Sequence, residues 1–187
     1  MNIILFGPPG AGKGTQAKYL VEKIKGFQVS TGDILRNEIQ NDTEIGKKII
    51  NHMSDGKFVN DEIVNTIIKT VINDPKKRNK LIFDGYPRSI KQAQNLNLLL
   101  NKSKQKIDFI IYLNVKKETI LRRIEKRKII ERRLDDDSEI TLKRYDTYMD
   151  TTKPVLDFYS KNENYHEIDG SLNIDQITKK IREIINV

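Results

Sequence analysis

Cysteine and tryptophan are absent from the 187 residues, and histidine occurs only twice. Without thiols there are neither disulfides nor thiolate zinc sites, and two imidazoles are too few for a His-rich metal centre. Long apolar runs are missing too. The opening MNIILFG has no cleavable signal pattern and no stretch reaches membrane-spanning length, so the expectation is a cytoplasmic protein without a membrane partner. Aromatic residues make up 7% of the chain and form no stacking motif, which weighs against nucleic-acid binding as the main activity. What the chain has in excess is positive charge, 34 Lys and Arg against 26 Asp and Glu, a net +8. Nucleotides, RNA or acidic lipid would all answer that charge. At this length a single domain with small insertions buries roughly 70% of the extended chain's surface.

Short apolar runs alternate with segments of helical period. NIILF (2–6), FQVS (27–30), KLIFD (80–84), DFIIYLN (108–114) and YHEID (165–169) read as buried strands. Between them, Ala17, Leu20, Val21 and Ile24 recur at i, i+3, i+4, i+7, and so do Val64, Ile67, Ile68 and Val71. Ile174, Ile177, Ile181 and Ile184 repeat the theme near the end. The βαβα order predicts an α/β fold with a parallel, doubly wound sheet whose ligand crevice lies beyond the strands' carboxyl ends. The span between the second and third strands is too long for one crossover helix and predicts a small helical insertion. Pro154, inside an otherwise helical stretch, is expected to kink or restart that helix.

The residues that carry chemistry begin with GPPGAGKGT (7–15). It follows the phosphate-loop pattern G-x-x-x-x-G-K-[ST] except that Gly14 stands where the Mg²⁺-binding hydroxyl is usual, with Thr15 one place late. Gly7, Gly10, Gly12 and Gly14 allow backbone N–H groups to approach a phosphate at a helix N-terminus, and Lys13 would reach the transferring group. In LIFDGYPRS, Asp84 ends a strand, where a carboxylate can either position Mg²⁺ through water or simply close a turn. Arg88 can grip a phosphate bidentately or start a helix in solvent. Ser89 and Gln92 have capping-box spacing, which gives Gln92 a purely structural alternative. In STGDILR, Ser30 or Thr31 can cap the next helix, and Arg36 lies over a turn into it. Arg123 and Arg127 share one face of the helix after the fourth strand, while Arg122 and Lys126 share an adjacent one. An arginine set on loops beside a phosphate loop suits phosphoryl transfer, which needs positioned cations and exclusion of water more than a protein nucleophile.

Taken in order, GPPGAGKGT, STGDILR, GKFVNDE, FDGYPRSIKQA, RRIEKRK, RRLDDD and IDG resemble the adenylate kinases, a nucleoside monophosphate kinase family, over essentially the whole chain. The resemblance implies a phosphate-loop NTPase fold with a five-stranded parallel sheet in the order 2-3-1-4-5. It implies an NMP-binding insertion over 30–59 and a lid over 127–137 within one kinase domain, 1–187. The lid is of the short form, without zinc. The implied reaction is ATP + AMP = 2 ADP in a cytoplasmic monomer, with GKGT as the family's usual loop and Mg²⁺ arriving on ATP, touched through water near Asp84 and Asp33. On that reading Gly10, Ala11, Gly12, Lys13, Gly14 and Thr15 bind ATP phosphates, while Arg123 and the backbone at Leu172 flank its base. Thr31, Arg36, Lys57, Phe58, Val59, Gly85, Tyr86, Pro87, Arg88 and Gln92 form the AMP site. Arg127, Arg133 and Arg144 clamp phosphates, with Asp135 holding the lid arginines. Thr31 and Gln92 match the adenylate form over the related UMP/CMP kinases, which stand as the alternative enzyme. A basic RNA-binding phosphate-loop module is the alternative of another class.

Overall fold

The computed structural model describes residues 1–55, 59–131 and 138–187. Five strands, β1 (Ile3–Phe6), β2 (Phe27–Ser30), β3 (Leu81–Asp84), β4 (Phe109–Asn114) and β5 (Tyr165–Asp169), coincide with the apolar runs read from the sequence. They pair in parallel in the order β2-β3-β1-β4-β5. Because strand side chains alternate, Ile4 and Phe6 face one layer of helices and Ile3 and Leu5 the other, and all four are at most 3% exposed.

The helices that cover the first layer are α2 (Thr31–Gln40), α3 (Glu44–Ser54), α4 (Asp61–Ile72) and α5 (Ile90–Lys102), joined later by α8 (Lys153–Tyr159). They pack Leu35, Ile49, Val64, Ile68, Leu96 and Val155 onto Val29, Phe83 and Ile110. The other layer is α1 (Lys13–Ile24), α6 (Lys117–Glu131) and α9 (Ile174–Ile185), which bring Ala17, Leu20, Ile120, Ile124, Ile177 and Ile181 onto Ile82, Ile111 and Ile168. The stripes on α1 and α4 therefore face the core; on α9 the buried positions are Ile177, Ile181 and Ile185, with Ile184 partly buried and Ile174, at the helix start, 60% exposed.

The expected insertion between β2 and β3 consists of α2 and α3, packed against each other before the chain returns through α4. Gly46 makes that crossing possible, since a Cβ there would lie 2.2 Å from the Glu38 carbonyl oxygen. The stretch from Ser138 behaves as Pro154 requires: α7 (Ser138–Thr147) widens into a π-helical turn, Tyr148–Thr152, and α8 begins at Lys153 with the proline in its first turn.

At the amino ends of the strands, fully buried Asn2 stitches three segments. Its amide nitrogen donates to the Lys106 carbonyl at 2.9 Å and its amide oxygen accepts from Leu81 N at 3.1 Å, while its backbone N–H donates to Asp108 Oδ2 at 2.7 Å. Asn2→Leu would remove the acceptor of the buried Leu81 N–H and the donor to the partly buried Lys106 carbonyl, at a cost of about 1–3 kcal/mol for each group left unpaired. We expect it to lower stability by about 2–4 kcal/mol in urea denaturation with little change in turnover, because the site lies at the opposite end of the sheet. A loss below about 0.5 kcal/mol would remove Asn2 from this structural role.

Candidate functional site

Strand β1 has β3 on one side and β4 on the other, so the chain order reverses at its carboxyl end, where a crevice opens. The glycine-rich loop leaves Phe6 at that point. Gly12 takes φ 95° as the N-cap of α1 and has no side chain to satisfy the first-turn N–H groups, which stay available to an anion. Gly10, at φ 81°, is also held by contact: a Cβ there would come within 2.9 Å of Ile124 on α6. Half-buried Lys13 curls back over the loop, its Nζ donating to the carbonyls of Gly7 at 2.7 Å and Pro8 at 3.0 Å. Burial pulls its pKa from 10.5 down to about 8; Asp84 acts against this, whereas Arg88, Arg144 and Arg127 add to it. The four cations thus share one electrostatic neighbourhood.

Asp84 closes β3 and turns its carboxylate toward the loop. Gln28 Nε2 donates to its Oδ2 at 3.0 Å, and a Cβ on Gly14 would stand 3.7 Å from the same oxygen. The next residues form a second loop, with a cis peptide bond between Tyr86 and Pro87. Gly85 accepts at its carbonyl from Thr31 Oγ1 at 2.9 Å and from Arg88 Nε at 2.6 Å, joining the start of α2 to this loop. Of the two capping candidates, Ser30 does the capping, accepting from Asp33 N, and Thr31 is freed for Gly85. Arg36 pairs with Asp33 at 2.5 Å, so the exposed Asp33 carboxylate already has a cationic partner.

Lys13, Arg36, Arg88 and Arg144 line one cavity together with Gly85, Pro87 and Val59, and Leu35 and Met53 supply apolar wall. Gln92 is not itself a lining residue; it is 3% exposed and is joined to the cavity through its bond to Arg88. Ser89 Oγ does accept from Gln92 N, but the Gln92 side chain does not complete a capping box: its Oε1 accepts from Arg88 N at 2.7 Å and its Nε2 donates to Asp61 Oδ1 at 2.5 Å. On α6 the two faces resolve as partly buried Arg123 and Arg127 against exposed Arg122 and Lys126. Arg123 donates to the carbonyls of Ala11 at 3.3 Å and Leu172 at 3.4 Å, tying the glycine loop to the segment after β5. Of the sequence-predicted residues, Lys57, Phe58, Arg133 and Asp135 lie outside the described residues.

Reading the sequence missed Tyr148 and Thr152, which complete the cavity wall, and Asp61. Thr152 Oγ1 donates to the Arg88 carbonyl at 3.2 Å. Tyr148 follows Arg144 by four residues, so helical spacing was a usable signal for it; Thr152 reaches the wall through the wide turn, which periodicity does not describe. Among the described residues no three acidic or imidazole groups gather as a metal cage, and no helix is long and apolar enough to cross a membrane.

The family model described as "Adenylate kinase" matches residues 5–164. The chain is 49% identical to an adenylate kinase of Pelagibacter ubique, with all of both chains covered; that alignment runs over 213 positions, so the relative carries residues with no counterpart among the 187 here. It is 39% identical to an adenylate kinase of a Caulobacter species and 34% identical to one of a Nocardioides species, covering all of this chain and 99% and 98% of theirs. With the phosphate loop, the sheet order and the ring of cations already in place, these likenesses show that the chain belongs to the adenylate kinase family and is a nucleoside monophosphate kinase, a phosphotransferase.

Proposed function

We propose that this cavity carries out ATP + AMP = 2 ADP by direct displacement, and that the residues divide the work as follows. The N–H groups of Gly10 to Thr15 and the Lys13 ammonium hold the β- and γ-phosphates of ATP, and Arg123 with the Leu172 backbone flanks its base. Arg36 and Arg88 hold the AMP phosphate, Thr31, Gly85, Tyr86, Pro87, Val59 and Gln92 enclose AMP, and Lys57 and Phe58 complete that side. Arg127, Arg133 and Arg144 neutralise the equatorial oxygens of the group in flight. Little covalent work is asked of the protein; in-line positioning and preorganised charge do it. The observation that carries this reading is the convergence of Lys13, Arg36, Arg88 and Arg144 on one cavity at the sheet's switch point.

Mg²⁺ enters as part of the ATP substrate. Asp84, whose carboxylate faces Gly14, is the group suited to a water-mediated contact; Asp33 is turned toward Arg36 and fits that part less well. The insertion 30–59 would close over AMP, and residues 127–137 would act as a short lid. We further propose a cytoplasmic monomer.

A coupled assay across AMP, CMP, UMP and GMP tests the nucleobase assignment. AMP is expected to have the highest kcat/KM; a preference for CMP or UMP would overturn it in favour of a pyrimidine nucleotide kinase.

A further inference from the structure

Gln92 is fixed at both ends of its carboxamide before any nucleotide arrives. A primary amide offers two N–H donors and two acceptor lone pairs, and its nitrogen and oxygen are told apart by what they face. Here the oxygen side meets a backbone N–H of Arg88, which can only donate, at 2.7 Å. The nitrogen side meets Asp61, a carboxylate in the first turn of α4 that can only accept, at 2.5 Å. At 3% exposure Gln92 has little water to turn to. Flipping the amide would set carbonyl against carboxylate and N–H against N–H, two unsatisfied buried contacts at once.

We infer that Asp61 is a specificity-determining positioning residue: by holding the nitrogen of Gln92 it fixes the order of donor and acceptor shown to the monophosphate's base. After Asp61 and Arg88 take their share, one N–H and one lone pair are left, in a fixed sense. That pair complements an exocyclic amino group beside an unprotonated ring nitrogen, as in the 6-aminopurine of AMP. A 6-oxopurine presents the reverse, a carbonyl beside a ring N–H, and is accepted only by the flipped amide. Asp61 thereby disfavours oxo bases by making the accommodating flip costly, which is selection against the wrong ligand as much as for the right one. The inference rests on the assignment of Gln92 to the AMP base.

The test compares kcat/KM for AMP and IMP in wild type, Asp61→Asn, Gln92→Leu and the double variant. Asparagine is nearly isosteric with aspartate but can either donate or accept, so it tolerates both orientations of Gln92. Asp61→Asn is expected to raise the IMP-to-AMP ratio of kcat/KM by about tenfold or more. In the Gln92→Leu background the same substitution is expected to shift that ratio less than twofold, because Asp61 acts through Gln92. Asp61→Ser, which can also donate, supplies a second reading should the asparagine variant melt early. A ratio unchanged in whichever of these variants folds, or an equal shift with and without Gln92, overturns the inference. A wild type that prefers IMP refutes instead the AMP assignment on which it stands.

Discussion

Arg88→Ala is expected to lower kcat about 10²–10³-fold while leaving the thermal melt nearly unchanged. Arg88 holds the AMP phosphate whose oxygen attacks, and misplacing an attacking group by about an ångström costs on the order of 10²-fold, with the loss of a preorganised charged donor adding to it. The backbone of Arg88 does much of the local structural work, donating to Gln92 and accepting from Thr152, and alanine keeps both bonds. What alanine removes is the guanidinium, whose Nε leans on the Gly85 carbonyl at 2.6 Å so that the rest of the fork faces the cavity. Lysine at this position should recover little, since a point charge cannot reproduce a planar bidentate grip. Steady-state kinetics beside a calorimetric melt separates the two effects. Turnover within about threefold of wild type would take Arg88 out of the chemistry.

Lys13→Met is expected to be comparably severe and to alter the pH dependence as well. In the free enzyme burial depresses the Lys13 pKa to about 8, with the neighbouring arginines assisting. The sign follows from linkage: between about 8 and the ordinary 10.5 the unfolded chain holds this proton and the folded one does not. Falling pH therefore removes stability across that window, and below it the full cost of the buried ammonium is present. A triphosphate reverses the balance by favouring the charged form, so ATP binding near pH 9 should take up close to one proton. Calorimetry in buffers of different ionisation enthalpy measures that uptake, and kcat/KM for ATP should fall above pH 8. Methionine, which fills the same channel without charge, is expected to abolish the uptake and to lower kcat by about 10²–10³-fold. Unchanged proton uptake in the methionine variant would assign the titration to another group.

The strands could be read from the chain because a parallel sheet covered on both faces leaves uninterrupted apolar runs, and Ile3 to Phe6 is such a run. The site loops were legible for another reason: glycine, lysine and arginine at fixed offsets around strand ends have few structural uses. Elsewhere local pattern gave pairs of readings that only packing could resolve. Spacing placed Arg123 with Arg127 and Arg122 with Lys126 but could not say which pair turns inward; the contact of Arg123 with Ala11 and Leu172 decides it. Ser30 and Thr31 were equal capping candidates until Gly85 engaged the threonine. The capping-box spacing of Ser89 and Gln92 was genuine, yet half of it serves a different partner, since Asp61 stands 31 residues earlier in the chain. Asn2 was hidden within an apolar run, its meaning dependent on two distant segments.

The wide turn at Tyr148–Thr152 also limits how this stretch of chain can change length. Each residue of an α-helix advances the chain by roughly 100° about its axis. The wide turn absorbs an extra residue between α7 and α8, and so sets the rotation at which Arg144 points relative to the anchored Thr152. Removing one residue here would restore regular helix and improve its hydrogen bonding, yet it would swing Arg144 away from the cavity. A deletion that tidies the backbone would thus disarm the enzyme, which makes the irregularity an alignment device and the regular helix the defective form.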